Sequence, residues 1–165
     1  MRLVAFTLFA TFAGPVAHAA PVPKHLMKEP ETDKAKLQGR WKMESMRMGQ
    51  QDVLGGLGVN FEMVIEFRDD TLTATANIGG MSHKTTATVS YGTGGARQLR
   101  TNDQRTVGAD GKPMNDGQKE DVFGYAFDGD KLLLGSTPGG GQKVAVDPLK
   151  PGPNDVVIVL SRVKK

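Results

Sequence analysis

Methionine is the first residue type in this sequence whose spacing could support chemistry. Met43, Met46 and Met48 form a Met-x-x-Met-x-Met cluster, and thioether sulfurs are soft ligands that bind Cu(I). On a regular strand Met43 would share a face with Trp41, whereas Met46 and Met48 would point to the opposite face. The three sulfurs would converge only if the strand contained a bulge. We therefore interpret these methionines as residues that fill gaps in a core.

Histidine and carboxylate residues do not assemble a metal site in the sequence. Apart from a histidine in the N-terminal segment, the chain has only His25, in a polar leader, and His83, in a polar loop. Zinc needs several ligands at workable spacing. Residues 110–117 are rich in Asp, Asn and Gly, but they lack the Asp-x-Asp-x-Asp-Gly frame of a calcium loop and have Pro113 in their middle. We predict neither a metal ion nor another cofactor.

Motifs of catalysis are missing from the sequence as well. It contains no Gly-x-Ser-x-Gly elbow, no His-Glu-x-x-His pair and no phosphate-binding loop. The absence of cysteine excludes a thiol nucleophile, thiolate metal sites and disulfides. Carboxylates are dispersed over turns and polar faces. We predict no catalytic residue and a protein that is not an enzyme, with a hydrolase built from carboxylates on distant loops as the last alternative.

The first 19 residues have the features of an export signal. Arg2 gives a basic start, residues 3–13 are almost wholly apolar, and Ala17-His18-Ala19 supplies the small residues of a cleavage site. The apolar run is about half of the ~20 residues that a membrane span needs. We predict cleavage after Ala19, a secreted or periplasmic protein, and no membrane span after cleavage.

Length and charge limit the remaining classes of function. A chain of 165 residues fits a targeting segment and one small domain, since domains usually contain ~100–200 residues. A formal net charge of +3 is too small and too dispersed to indicate a nucleic-acid partner. We expect a monomer, and the sequence identifies no protein partner.

Alternation of apolar and polar residues dominates the chain after a polar leader. Residues 20–36 are rich in Pro, Lys and Glu and predict a flexible leader, with one helical turn at 32–37 capped by Thr32. The domain follows at 37–165. Its period-two pattern predicts antiparallel strands with one wet face, and the last of them is placed at 155–163. The inward residues expected to line a cavity are Phe61, Met63, Ile65, Phe67, Leu72, Ala74, Ala76, Ala87, Val89, Tyr91, Tyr125 and Phe127.

Turn signals separate about eight strands. Asp69-Asp70 and Asp128-Gly129 stand between alternating runs, as two-residue hairpin turns require. Longer breaks rich in glycine or proline fall at 55–58, 92–95, 108–117 and 138–153. Without a long helix, this pattern predicts an all-β fold: an antiparallel up-and-down barrel, or alternatively an immunoglobulin-like β-sandwich.

Three motifs, in order, resemble those of a known family. Leu-x-Gly-x-Trp occupies residues 37–41, a glycine-tyrosine segment ending in Gly-Asp-x-Leu occupies 124–132, and an aliphatic run at 156–160 precedes Arg162. The set resembles small secreted lipocalin-like domains of the calycin type, which are numerous in planctomycete bacteria and have no assigned biochemistry. The resemblance implies a lipocalin-like barrel that covers most of the domain.

Closure of such a barrel would involve the first and last strands. We predict that Trp41 plugs one end, that Arg162 lies across its ring in a cation–π contact, and that Gly39 allows a close crossing. An eight-stranded barrel has just enough interior for side chains or for one small ligand. We therefore expect a non-enzymatic protein that binds a small apolar ligand. The alternative is a structural or protein-interaction domain whose barrel is filled with side chains.

Overall fold

The computed structural model describes residues 30–49, 51–54, 60–92, 97–114, 120–138 and 144–164. The predicted signal peptide at 1–19 and leader residues 20–29 lie outside the described residues. So do the predicted break at 55–58 and parts of the breaks at 92–95, 108–117 and 138–153.

Strands account for most of the described chain. In that part of the chain they follow a single short helix, and each is numbered in chain order. The elements are α1 (Pro30–Leu37), β1 (Gly39–Met48), β2 (Gln51–Asp52), β3 (Phe61–Arg68), β4 (Thr71–Ile78), β5 (Met81–Tyr91), β6 (Gln98–Val107), β7 (Glu120–Asp128), β8 (Lys131–Ser136) and β9 (Val156–Arg162).

The sheet closes on itself. Its strand order is β2-β1-β3-β4-β5-β6-β7-β8-β9, all pairs are antiparallel, and β1 also pairs with β9. Eight strands therefore form a barrel, and the short β2 is an extra strand beside the end of β1. The predicted up-and-down barrel, with its last strand beside its first, is confirmed. The alternative of two sheets packed face to face is wrong.

Tight turns connect the central strands. Arg68 pairs with Thr71 across the predicted Asp69-Asp70 turn. Between β7 and β8 the loop consists of residues 129–130, one residue later than predicted, because Asp128 itself pairs with Lys131. Glycine at the first loop position there has a φ of 62°, which is the left-handed backbone that a two-residue turn requires.

Helix α1 begins earlier than the sequence suggests. It starts at Pro30, a residue that suits the first helical position because its missing N–H needs no partner there. Thr32, predicted as the residue before the helix, lies within it. Asp33, which falls within the predicted leader, is buried. No helix in the described ranges is long and apolar enough to cross a membrane.

A bulge in β1 corrects the interpretation of the methionine cluster. The pairing of β1 with β9 shifts by one residue between Met43 and Ser45. This bulge at Glu44 returns Met46 and Met48 to the inward face that carries Met43, because the β9 residues opposite them are alternate residues of one face. The prediction that Met46 and Met48 point away from Met43 is wrong. Met46 packs against the core, as a gap-filling residue does.

A second layer covers part of the outer face of the barrel. Val122, Ala126 and Val157 point outward, yet they are buried. The backbone of Val146 crosses this face so closely that a Cβ on Gly124 would lie 1.8 Å from its carbonyl oxygen. Simple alternation predicts one wet face for every strand. That expectation fails where residues 146–148 pack over the outer face of β7 and β8, and at Val157 on β9, which is buried.

Candidate functional site

The end of the barrel next to α1, called the base here, is filled with side chains. Leu37, Trp41, Phe67, Tyr125 and Leu132 are at most 2% exposed and belong to one core cluster. The antiparallel pairing brings these residues together at one end of the barrel. Strands β1, β4, β6 and β8 begin at the base, and strands β3, β5, β7 and β9 end there. The base therefore offers no room for a ligand.

Trp41 and Arg162 meet at the base, where they are directly opposite each other in the pairing of β1 with β9. The guanidinium carbon of Arg162 lies 4.3 Å from the centroid of the Trp41 rings. Nη1 of Arg162 donates to the carbonyl oxygen of Gln38 at 2.8 Å, and Nη2 donates to that of Lys36. The positive charge thus caps the C-terminus of α1, where the helix dipole is negative.

Gly39 makes this crossing possible. Its φ of 110° is a conformation that residues with side chains rarely adopt. A Cβ at this position would also approach Nη1 of Arg162 to 3.1 Å. Trp41 is fixed from the same side, since its Nε1 donates to the carbonyl oxygen of Leu37 at 2.8 Å. Helix, first strand and last strand are therefore joined at one point.

A buried ion pair connects α1 to Arg97, the residue that precedes β6. Nε of Arg97 donates to Oδ2 of Asp33 at 2.7 Å, and the two side chains are 9% and 2% exposed. Burial raises the pKa of the nearby Tyr125 phenol, and the negative charge of Asp33 raises it further. The neutral phenol is thus the form that the fold stabilises.

The other half of the barrel interior contains a cavity of about 190 Å³. It lies toward the end that carries the β4–β5 turn at residues 79–80, called the mouth here. Strands β3 to β9 each contribute to its wall. The lining residues are Met63, Ile65, Leu72, Ala74, Thr85, Ala87, Leu99, Thr101, Gln104, Asp121, Phe123, Leu134 and Ile158.

Alanines open this space. Ala74 stands between Ile65 on β3 and Thr85 on β5, and Ala87 stands opposite Leu72. A methyl group at either position reaches much less far into the barrel than a leucine or phenylalanine would. The interior is therefore filled at the base, where aromatic residues face inward, and open where alanines do.

Polar side chains occupy one side of the cavity wall. Nε2 of Gln104 donates to Oγ1 of Thr101 at 2.9 Å and to Oδ2 of Asp121 at 2.8 Å. The hydroxyl groups of Thr85 and Thr106 are 3.0 Å apart. Asp121 is the ionisable residue among the described lining residues, and the rest of the wall is mainly hydrocarbon. Such a lining suits an apolar molecule that carries one polar group.

The structure brings five of the predicted lining residues to the cavity: Met63, Ile65, Leu72, Ala74 and Ala87. The other predicted lining residues are not among those that line it. Phe67, Val89 and Tyr125 belong to the buried core, and Phe61, Tyr91 and Phe127 pack against it. Ala76 lies on the same inward face of β4 as Ala74, closer to the mouth, and it is not one of the lining residues.

Sequence reasoning missed the polar wall and part of the apolar wall. Phe123 shares its face of β7 with the predicted residues Tyr125 and Phe127, and extending the alternation would have found it. Gln104 gave no such signal. The pairing of β5 with β6 shifts between Thr86 and Thr88, and Asp103 takes the left-handed φ of 53°. This bulge turns Gln104 inward, where regular alternation from Leu99 would point it outward.

Residues considered for metal binding stay apart in the structure. His83 lies in β5 opposite Ala76, and not in a loop as predicted, because the β4–β5 hairpin is longer than its polar sequence suggests. Among the described residues, no group of three or more His, Asp or Glu side chains could hold a metal ion. Asp110 stabilises a turn instead, since the backbone N–H of Lys112 donates to Oδ1 of Asp110 at 3.1 Å.

Neither a protein-family model nor a curated protein sequence matches this chain. The resemblance to lipocalin-like domains therefore rests on the three sequence motifs.

Proposed function

We propose that this protein is an exported, non-enzymatic, lipocalin-like binding protein that holds one small apolar molecule in its barrel. The observation that carries the proposal is the cavity of about 190 Å³ between Ala74, Ala87 and Leu99. A barrel that served only as a structural domain would gain stability from filling this space, because each buried methylene contributes ~0.8 kcal/mol. Instead, Ala74 on β4 and Ala87 on β5 leave this space open.

The size of the cavity limits the ligand to a small molecule. A cavity of ~150 Å³ lined by aliphatic residues holds benzene, so about 190 Å³ suits a molecule slightly larger than benzene. Fatty acids and sterols are much larger than this volume. The proposal therefore concerns volatile or fragment-sized compounds and not the long lipids that larger barrels enclose.

Toluene is a suitable first probe. We expect the purified domain to bind it with a Kd of ~0.1–1 mM, equivalent to about 4–5.5 kcal/mol, as measured by isothermal titration calorimetry. Ala74→Leu adds an isopropyl group inside the cavity and should abolish the binding. Thr75→Leu adds apolar bulk at the neighbouring outward, exposed position and should leave the Kd unchanged.

Absence of toluene binding in the wild type would contradict the proposal and favour the structural domain. Binding that persists in Ala74→Leu would place the toluene outside the cavity and would contradict it equally. Native mass spectrometry of protein secreted by its producing cells then identifies the natural occupant as retained mass. An intact mass that matches a chain starting at Ala20 would support export. A mass that includes residues 1–19 would contradict export.

A further inference from the structure

A groove of about 650 Å³ lies on the outside of the barrel at its base. Its walls come from β1, from β3 and from the end of the chain after β9. Among the described residues that line it are four cations and one carboxylate, namely Arg40, Arg68, Arg162, Lys164 and Glu66. The whole chain has a formal net charge of only +3, so the groove concentrates as much excess positive charge as the entire sequence carries.

Most of the positive charge in the groove has no acidic partner. Nη2 of Arg68 lies 3.6 Å from Oε1 of Glu66. Arg162 donates to two backbone carbonyl oxygens, which are neutral. Arg40 is directly opposite Glu66 in the pairing of β1 with β3, yet neither Arg40 nor Lys164 forms an ion pair with any residue in the described ranges. The groove therefore attracts anions.

Two carboxylates in the β3–β4 turn lie beside the groove but are not among the residues that line it. Oδ1 of Asp70 is 2.8 Å from Nζ of Lys34, which neutralises it. Asp69 is exposed to water, where its charge is screened. The turn therefore does not offset the excess positive charge of the groove.

Arg40 and Arg68 are placed so that one acidic group can bind both. Arg40 pairs with Glu66, and Arg68 lies two residues further along the same outward face of β3. Such diagonal neighbours are ~7–8 Å apart, which two arginine side chains can bridge through a shared anion. Each guanidinium is a planar fork that binds a carboxylate, sulfate or phosphate group through two hydrogen bonds. Lys164 lies on the other side of β1 and offers a place for a second acidic group.

Threonine hydroxyl groups continue from the groove across the outer face of the barrel. Thr71 pairs with Arg68 on one side and with Thr88 on the other. Thr73, the next residue on the same face of β4, pairs with Thr86. Because directly paired residues share a face, these four hydroxyl groups form a patch beside Arg68. A hydroxyl group both donates and accepts hydrogen bonds, as the hydroxyl groups of a sugar do.

The composition of the groove favours a sugar chain over a nucleic acid or a membrane. Its described lining residues include no aromatic side chain, whereas proteins bind single-stranded nucleic acids largely by stacking bases on aromatic rings. Val163 is the one apolar side chain in that set. A membrane-bound surface buries a much larger apolar area.

We infer that this groove and the threonine patch beside it bind an acidic polysaccharide, a sugar chain that carries carboxylate or sulfate groups. The acidic groups lie against Arg40, Arg68 and Lys164, and the sugar hydroxyl groups contact the threonines. This surface is outside the barrel, so the inference goes beyond the proposed function and does not depend on the cavity.

Dextran sulfate and unsubstituted dextran are matched probes, since they share the sugar chain and differ in the sulfate groups. At low ionic strength we expect the immobilised protein to bind dextran sulfate but not dextran, as measured by biolayer interferometry. Arg40→Gln with Arg68→Gln should weaken the binding of dextran sulfate at least fivefold. The control is Arg47→Gln with Lys150→Gln, which removes two charges from exposed positions and should change the affinity less than twofold. Arg47 lies on the same strand as Arg40, roughly 23 Å away.

Lys164→Gln provides a second variant should the double arginine variant fold poorly, because Lys164 is exposed and follows the last strand. It should weaken the binding of dextran sulfate at least twofold. An equal loss in the control would mean that affinity follows net charge alone and would overturn the inference. Absence of dextran sulfate binding would overturn it too, as would tighter binding of single- or double-stranded DNA or of phosphatidylglycerol vesicles. The Kd of toluene should stay within twofold in every variant, so failure here leaves the proposed function intact.

Discussion

Removing Trp41 and Arg162 singly and together measures how strongly the base holds the barrel closed. Trp41 is 1% exposed and belongs to the core cluster at the base. Trp41→Ala should lower the free energy of unfolding by ~3–5 kcal/mol, the usual range for emptying a large aromatic site. This is a large fraction of the ~5–15 kcal/mol that a domain possesses.

Arg162 should contribute less, because its side chain is exposed. Its contact with the ring at 4.3 Å adds ~0.5–1 kcal/mol at an exposed site. The hydrogen bonds to the carbonyl oxygens of Gln38 and Lys36 cap α1, and the capping charge is stabilised by ~0.3–1 kcal/mol. Together these contacts predict a loss of about 1–2 kcal/mol for Arg162→Ala.

The two effects should not add. Because the side chains are in contact, the double variant should differ from the sum of the single variants by at least ~0.5 kcal/mol. Urea unfolding followed by far-ultraviolet circular dichroism is the appropriate assay, since Trp41 is the sole tryptophan and its fluorescence disappears in two of the variants. Arg40→Ala, at an exposed position of the same strand, is the control and should change stability by less than ~0.5 kcal/mol. Strict additivity, or an Arg162→Ala effect as small as that of Arg40→Ala, would refute this account of closure.

Three further changes test the base and the outer layer. Burial raises the pKa of Tyr125 above its ordinary value, so the stabilising effect of this residue is complete below pH ~10 and declines as the pH rises further. In that alkaline range the free energy of unfolding of the wild type should fall by ~1.4 kcal/mol per pH unit more than that of Tyr125→Phe. Parallel plots of unfolding free energy against pH for the two proteins would contradict this. Arg97→Met leaves the Asp33 carboxylate buried without its cation and should lower the free energy of unfolding, measured in urea, by ~3–5 kcal/mol. The double variant, Asp33→Leu with Arg97→Met, should lose less, because it leaves no buried charge without a partner. A larger loss in the double variant than in Arg97→Met would contradict the importance of the pair. Gly124→Ala forces the backbone of Val146 away from the barrel and should lower the free energy of unfolding by ~1–3 kcal/mol. An unchanged midpoint of urea unfolding would mean that this outer layer is loosely held.

Much of the barrel could be predicted from sequence, because local patterns determine which face of a strand is apolar. Alternation located β3, β4 and β5, and the motifs around Trp41 and Arg162 indicated that the last strand lies beside the first. Residues 146–148 could not be placed in this way. They cover β7 and β8 through contacts with Gly124 and Gly135, and no periodicity within either segment encodes that long-range contact.

The candidate site was only partly predictable, and bulges are the main reason. Alternation identified Ala74 and Ala87 as inward residues that leave space. It failed at Glu44 and Asp103, where one extra residue reverses the side-chain direction for the rest of the strand. The polar wall around Gln104 depends on such a bulge, so the sequence predicted an apolar lining where the structure also has a carboxylate and an amide.

A crystal structure determined under xenon pressure tests the central claim most directly, because xenon enters apolar cavities without needing any specific polar partner. The account predicts a xenon atom in the cavity between Ala74, Ala87 and Leu99, with the protein otherwise unchanged. It also predicts that the xenon is absent from the same position in Ala74→Leu. A wild-type barrel whose side chains close over this space, with no xenon bound there, would contradict the claim that the protein is built to hold a small guest.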